Sequence, residues 1–362
     1  MDFFNQTRQQ LEDLFDSCNI PKIHAKNLFR AAYKDLSLSP WTAPGIPKSI
    51  PRLLEPEPKQ FEKAPELAKI LVSKYDATVK FLVRMADGKL IESVMMPETG
   101  RITLCLSSQV GCRQACTFCH TGRMGLIRNL TPAEIVSQVF LANRWLAENP
   151  EWKTSWQYPE NCWISNIVFM GMGEPLDNVD GLRTAIDILS DPYGFHIPKR
   201  RIAVSTAGHL EGLKELTKHV PDVSLALSLH ASTNGERSRL MPINRRWPID
   251  EVLGFLKGYY ETRKNRSFLL VQYTVIQGIN DSKEHAERII KLLSGIPVKI
   301  NLIPLNEVDH VRFEAPSAES LTSFRDQFHR AGIRVMIRYS KGQDISAACG
   351  QLAVIDHQIQ AN

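Results

Sequence analysis

The sequence predicts an α/β fold: a partial (β/α)6 barrel carrying a small N-terminal helical accessory domain and a β-hairpin extension. Three observations predict it. From about residue 101 short apolar runs alternate with amphipathic stretches, the rhythm of a parallel sheet covered by helices. That unit repeats six times, too few to close an eight-fold barrel. Before residue 101 the rhythm differs, with helical periodicity, then a proline-broken bridge, then two-residue alternation.

In chain order, Leu11, Leu14, Phe15, Ile23, Ala25, Leu28 and Phe29 fall at helical spacing over residues 6–34. With the bridge SLSPWTAPGIPKSIPRLLEPEP they make an accessory domain over 1–60. ATVKFLVRM and KLIESVMM alternate, so an antiparallel hairpin turning near 86–88 is expected within an extension over 61–97. The barrel then spans 98–345. Its strands are expected at 102–106, 166–170, 201–205, 223–229, 269–275 and 299–303, with a last one at 333–338. Helices are expected at 132–146, 179–189, 210–218, 249–260, 283–293 and 318–331. A C-terminal segment covers 346–362. Chemistry in such sheets gathers at the carboxyl ends of the strands. The cysteine loop, GMGEP, STAG and SLHA follow the first four strands at that end.

At 362 residues and 43% hydrophobic content the chain suits one large domain with an accessory piece, not disorder. The start carries Asp2, Glu12 and Asp13 without the basic-then-apolar order of a signal peptide. Apolar runs stop short of the roughly 18 residues a membrane span needs. A cytoplasmic protein with no membrane partner is expected, and there structural disulfides are rare. The net charge of +5 points weakly to a polyanionic partner.

Seven cysteines remain to be sorted. GCRQACTFCHTG places Cys112, Cys116 and Cys119 at C-x3-C-x2-C, with His120 next. A zinc site could use His120, but neighbours such as Cys119 and His120 rarely reach one tetrahedral ion together. A haem-attachment reading of C-x-x-C-H belongs to exported proteins and leaves Cys112 unexplained. Three inert buried thiols suit a glycine-rich loop poorly. The remaining reading is a [4Fe–4S] cluster on three thiolates, one iron left open for a reactive ligand.

On a loop after the first strand of a partial α/β barrel, C-x3-C-x2-C resembles the radical SAM superfamily, whose open iron chelates S-adenosylmethionine. Gly171-Met172-Gly173-Glu174-Pro175 is similar to its glycine-rich segment, where a bare backbone can approach a ligand. CLSSQVGC, RNLTPAEIVSQV, NIVFMGMGEPLDN, RRIAVSTAG, LSLHA, MPIN, NLIPLN and DISAACGQL narrow the resemblance to the RlmN/Cfr family of RNA adenosine methyltransferases. These blocks run in family order over residues 90–353.

The resemblance implies an enzyme that methylates an adenine ring carbon, using the cluster and two molecules of S-adenosylmethionine per turnover. Such a carbon has no lone pair to attack a sulfonium methyl, so a covalent intermediate divides the difficulty. By position, Cys349 matches the cysteine that is methylated and then carries the carbon to RNA. Cys105 matches the partner that resolves the adduct, ending in a disulfide with it, and Glu92 the base that removes the ring proton. Cys349 must act as a thiolate when first methylated, which favours a locally positive setting. Cofactor contacts carried over are Gly173, Glu174, Ser205, Ser228, Leu229, His230 and Asn306. Cys18 and Cys162 match nothing and are read as structural.

The family divides between carbon 2 and carbon 8 of the same adenosine of 23S ribosomal RNA, and some members act on tRNA. Carbon 2, the housekeeping activity, is the expectation, and Pro175 leans the same way. Carbon 8 is the alternative. A non-catalytic iron–sulfur RNA-binding protein would not need Cys105, Cys349 and Glu92, and a radical enzyme for a small molecule would turn over without RNA. An electron donor such as flavodoxin or ferredoxin and a monomeric chain are also implied. For phosphate binding the basic candidates are Lys199-Arg200-Arg201, Arg237, Arg239, Arg245-Arg246, Arg263-Lys264, Arg266, Arg334, Arg338 and Lys341, with residues 22–34 adding to them. The target base must leave its stack, so a loop or bulge in folded RNA is expected.

Overall fold

A computed structural model describes residues 3–54, 65–263, 267–306 and 313–352. Its strands are β1 (Glu66–Val72), β2 (Val79–Arg84), β3 (Leu90–Glu98), β4 (Arg101–Cys105), β5 (Gln109–Cys112) and β6 (Gly125–Asn129). They continue with β7 (Ile164–Phe169), β8 (Ile202–Thr206), β9 (Ser224–Ser228), β10 (Leu269–Val275), β11 (Val298–Pro304) and β12 (Arg334–Ile337). Ten of them form one sheet in the order β1-β2-β3-β4-β7-β8-β9-β10-β11-β12. From β4 to β12 every pairing is parallel, and helices cross over between successive strands as parallel connections require.

The expected strands and crossover helices are all present, displaced by a few residues at most. Sequence signals make the local reasons plain. Thr131 caps helix Pro132–Glu148 in a reciprocal capping box with Glu134, and Pro132 opens it. That helix buries Ile135, Val136, Val139, Ala142 and Leu146 against the sheet. β10 is buried along nearly its whole length, as a strand covered on both faces must be.

Two features depart from expectation. The extension is three-stranded, because β1 joins β2 antiparallel and β3 carries the ladder straight on to β4. β1 alternates exposed and half-buried positions and has no fully buried face, so its sequence is a weak strand signal. The second departure is the hairpin of β5 and β6, which flanks the cysteine loop. Its strands, QVGC and GLIRN, are short and glycine-bearing, and Gly111 sits against the Gly125 carbonyl where a Cβ would collide.

Near the N-terminus helices Arg8–Ser17 and Ile23–Phe29 bury Leu11, Phe15, Leu28 and Phe29. Tyr33 packs on Phe195 with ring centroids 5.2 Å apart, Arg8 donates to Asp191 at 2.8 Å, and the Ala133 amide donates to Asn5 Oδ1 at 2.9 Å. These contacts fix the helical segment to the outer helices of the sheet. Among the described residues no helix is long and apolar enough to cross a membrane.

Candidate active site

The cysteine loop begins where β4 ends. Ser107, just past Cys105, works as a rivet: its hydroxyl donates to the Glu92 carbonyl at 2.6 Å and accepts from the Met172 amide at 2.8 Å. Gln138, from the capped helix, both accepts from the Ser107 amide and donates to its carbonyl, each at 2.9 Å. Strand β3 and the loops after β4 and β7 are thereby held to one another.

The GMGEP turn follows β7 with no room for side chains. A Cβ on Gly171 would lie 2.7 Å from the Leu106 carbonyl oxygen. One on Gly173, at φ +104°, would lie 2.6 Å from Gln109 Cβ. The turn aims Glu174 inward. One carboxylate oxygen accepts from the Ala207 amide at 2.7 Å, the other from Leu176 at 3.1 Å. Burial outweighs these hydrogen bonds and pushes its pKa up to about 7, even with Arg237 in electrostatic range.

These elements enclose a cavity at the carboxyl ends of the parallel strands. Cys112, Cys116, Cys119, Gly173, Glu174, Ser205, Ser228, His230, Asn306 and Cys349 all line it. The cavity, open to solvent on one side, has a volume of about 170 Å³, more than one ion fills. Glu92, Cys105 and Leu229 are not part of the lining. Leu229 is fully buried, and its amide donates to the Gln272 carbonyl at 3.0 Å. Cys105 is close enough to Cys349 for the two to interact electrostatically, as is Arg338. Burial, with Cys349 adding to it, pushes the Cys105 thiol up to about 12.

Register explains how Glu92 and Cys105 belong to one face. Cys105 on β4 pairs directly with Val94 on β3, and Val94 with Lys80 on β2. Directly paired residues share a face, as do residues two apart. Lys80, Glu92, Val94 and Cys105 therefore project together.

The C-terminal segment is clamped over this end from several sides. Asn306 Nδ2 donates to the Cys349 carbonyl at 2.9 Å, the His120 amide to Gly350 at 2.8 Å, and Lys80 Nζ to Ser346 at 3.2 Å. Asp76 accepts from the Gly342 amide at 2.8 Å. Cys349 itself is exposed, and both it and Cys105 are free thiols.

Burial raises the pKa of all three loop cysteines, Cys112 to about 12. Such thiols stay protonated unless a metal takes the proton's place. Among the described residues no three His, Cys, Asp or Glu side chains converge where a single ion could sit. Three thiolates that bind separate irons of one cluster need not converge, so the donor set suits a cluster better than zinc. His120 donates its backbone amide to the C-terminal segment and is not a cavity-lining residue.

His230 has φ +54° and its Nδ1 accepts from the Thr274 amide at 2.8 Å, which leaves the proton on Nε2. Burial, with Arg237 nearby, lowers its pKa to about 3, so the ring is neutral at ordinary pH.

Arg237 corrects an expectation. Read as a phosphate-binding surface residue, it is 0% exposed and lies inside the protein. It donates to the carbonyls of Leu229 (3.1 Å), Ala207 (2.6 Å) and Ser228 (2.9 Å) and to Asn244 Oδ1 (3.0 Å). In LHASTNGERSRL nothing but helical phase distinguishes a buried arginine from a solvated one. Gln272 was also missed: 4% exposed, it lines the cavity, and among the described residues neither of its amide atoms has a hydrogen-bond partner. An orphaned donor–acceptor pair facing a cavity fits a site built for a polar ligand.

The other basic residues do not form one rim. Lys199–Arg201 precede β8, Arg263 lies between helix Ile249–Glu261 and β10, and Arg334 begins β12. In parallel strands that is the end opposite the cavity. Arg239, Arg245 and Arg246 follow β9, and Arg338 and Lys341 follow β12, at the cavity end. Lys264 and Arg266 lie outside the described residues. Cys18 is exposed and Cys162 half-buried, and neither lines the cavity.

No family model matches the chain. Individual proteins do. A dual-specificity RNA methyltransferase RlmN from Geotalea uraniireducens is 40% identical over 352 residues, 97% of this chain and 96% of that protein. One of the same description from Pseudomonas fluorescens is 44% identical over 277 residues, 76% of this chain and 70% of its own length. The crystal structure of a radical SAM methyltransferase from Sphaerobacter thermophilus superposes with a TM-score of 0.85 at 36% identity, covering 97% of this chain and 99% of that one.

Proposed function

The chain belongs to the RlmN family of radical SAM RNA methyltransferases, and on that premise we propose that it methylates carbon 2 of an adenine in 23S ribosomal RNA through an S-methylated Cys349. Transfer RNA is a second substrate in this reading, which the dual specificity in its relatives' name supports. The reaction takes place in the cytoplasm, on a monomer served by an external electron donor such as flavodoxin or ferredoxin.

Cys112, Cys116 and Cys119 would hold the [4Fe–4S] cluster, leaving one iron for S-adenosylmethionine. Cluster and cofactor, when bound, would supply the one-electron chemistry that activates an S-methyl group for attack on the ring. Glu174, a buried carboxyl group facing the cavity, offers the partner an ammonium group needs. Gly173 keeps the backbone bare for close approach, while Ser205, Ser228, neutral His230 and Asn306 offer hydrogen bonds around the same space. Leu229 contributes its backbone between Ser228 and His230.

Cys349 receives a methyl group from one S-adenosylmethionine and carries it to the ring. Glu92 takes the ring proton; the Cys105 thiolate then attacks the Cys349 sulfur, the sulfur–carbon bond breaks as the sulfur–sulfur bond forms, and the released carbon takes a proton to become the methyl group. Cys105 lies within electrostatic range of Cys349, on the face it shares with Glu92.

The observation that carries the reading is that Cys349, from the far end of the sequence, lines the same cavity as the three loop cysteines. A purely structural cluster protein has no use for it. The test is anaerobic reconstitution with iron, sulfide, S-adenosylmethionine, a reductant and a 23S RNA fragment, followed by nucleoside mass spectrometry. 2-Methyladenosine is expected from the wild-type chain and none from Cys349→Ala. 8-Methyladenosine would overturn the choice of carbon, and an unmodified RNA the substrate.

A further inference from the structure

We propose that Lys80 is a positioning residue for this reaction, holding the Glu92 carboxylate and the loop that bears Cys349 in fixed relation to one another. The inference rests on the reading of Glu92 as the base.

Lys80 and Glu92 are 2% and 0% exposed, and Lys80 Nζ lies 3.1 Å from Glu92 Oε1. Lysine and glutamate are almost never so deeply buried unless paired. Stability does not explain such a pair, because a hydrophobic pair of similar volume is commonly as stable or more so. A role in placing charge does. Nζ also donates to the Ser346 carbonyl at 3.2 Å, three residues before Cys349. Ser346 has φ +50°, a conformation a non-glycine residue holds at a cost, so the loop is fixed in place by such contacts.

The register gives the pair its direction. Lys80 and Glu92 are diagonal neighbours on adjacent strands and share a face with Cys105. One ammonium group thus touches the base directly and the methyl carrier through its loop. When Glu92 takes the ring proton, the carbon–hydrogen bond breaks, its electron pair stays in the ring, and a new oxygen–hydrogen bond forms. That requires Glu92 as a carboxylate aimed at the carbon that Cys349 has just engaged. Lys80 supplies the positive charge a buried carboxylate needs and the bond that sets its bearing on the loop.

The test compares Lys80→Met and Lys80→Arg holoenzymes, with Glu92→Gln as reference. Iron content and visible spectrum report the cluster, peptide mass reports S-methyl-Cys349, and gel shift reports covalent protein–RNA adduct. Lys80→Met should keep the cluster and S-methyl-Cys349 yet lower RNA methylation by about tenfold or more, with adduct accumulating, the scale of a displaced general base. Lys80→Arg should recover activity to within about tenfold of wild type, since it keeps a donor and a charge. Wild-type methylation by Lys80→Met overturns the proposal. If Lys80→Met does not fold, Lys80→Arg decides: a loaded, S-methylated Arg variant slower than about tenfold overturns it, a faster one supports it. If Glu92→Gln methylates RNA normally, the base assignment fails whatever Lys80 does. A slow Glu92→Gln beside a normal Lys80→Met sinks Lys80 alone.

Discussion

Asn306, just beyond β11, donates its side-chain amide to the Cys349 carbonyl across 2.9 Å and so fixes the proposed methyl carrier to the end of a parallel strand. One hydrogen bond of this kind contributes about 1 kcal/mol, enough to change the share of chains with the loop seated by about fivefold. Asn306→Ala should therefore slow S-methylation of Cys349 by about five- to tenfold while iron content stays unchanged. Peptide mass spectrometry over a time course reads the rate. An unchanged rate would mean the loop is held by its other contacts alone.

The three loop cysteines should fail together and not in proportion. Cys112→Ala, Cys116→Ala and Cys119→Ala each remove one of the three proposed cluster ligands, and the protein should lose its brown colour and all cleavage of S-adenosylmethionine. Removing iron from the wild-type enzyme with a chelator should do the same. Cys105→Ala lies outside the cavity lining. It should retain both cluster and cleavage, and should accumulate the protein–RNA adduct. A colourless Cys105→Ala would place it among the cluster ligands instead.

Arg237 is the opposite kind of residue, needed for the frame before any chemistry. Its guanidinium ties the carbonyls of Ala207, Ser228 and Leu229, so the ends of two neighbouring strands share one buried cation. Arg237→Met leaves those acceptors buried without donors, at about 3–5 kcal/mol, the cost of breaking a buried charged network. Calorimetry should show a melting temperature lower by several degrees and a weaker S-adenosylmethionine affinity. An unshifted melting temperature would show that water enters and satisfies the carbonyls.

How much of this could be read from residues alone follows burial. The parallel strands were legible because each is a continuous apolar run, as Leu269–Val275 shows. That the cysteine loop and GMGEP meet at one cavity was legible because both follow parallel strands at their carboxyl ends. Arg237, Gln272 and Lys80 were not, since a polar residue reads as solvated until long-range pairing buries it. Lys80 meets its partners only through the register of β2 with β3 and a loop some 266 residues away in sequence. The placement of Lys199–Arg201 failed differently: sequence shows where charges cluster but not which end of a strand the RNA approaches.

Asp76 offers a titration. Burial raises its pKa, but hydrogen bonds from the Gly342 amide and from Thr78 outweigh burial and hold it below the usual carboxylate value. A carboxylate with a depressed folded-state pKa adds stability that is complete above its unfolded-state pKa, near 4, and is lost as pH falls through the folded-state value. Hydrogen exchange of residues 342–347 should therefore quicken below about pH 4, and Asp76→Asn should abolish that step. Exchange that quickens equally in Asp76→Asn would assign the acid sensitivity to another group.

The two ends of the sheet make opposite predictions for RNA. Arg245 and Arg246 are exposed at the cavity end, after β9; Arg200 and Arg201 are exposed at the far end, before β8. A base delivered into the cavity brings its neighbouring phosphates over the first pair and not the second. Each phosphate contact adds about 0.7–0.9 to the slope of log K against log salt. Arg245→Glu with Arg246→Glu should flatten that slope by about 1–2 and weaken RNA binding by an order of magnitude or more near physiological salt. Arg200→Glu with Arg201→Glu changes net charge equally, so it controls for bulk attraction and should leave the slope within about 0.5 of wild type. Fluorescence anisotropy over a salt series on both double variants measures the difference directly. Equal slopes in the two variants would mean that the RNA wraps around the sheet or is attracted by net charge alone, and the cavity end would lose its claim as the docking face.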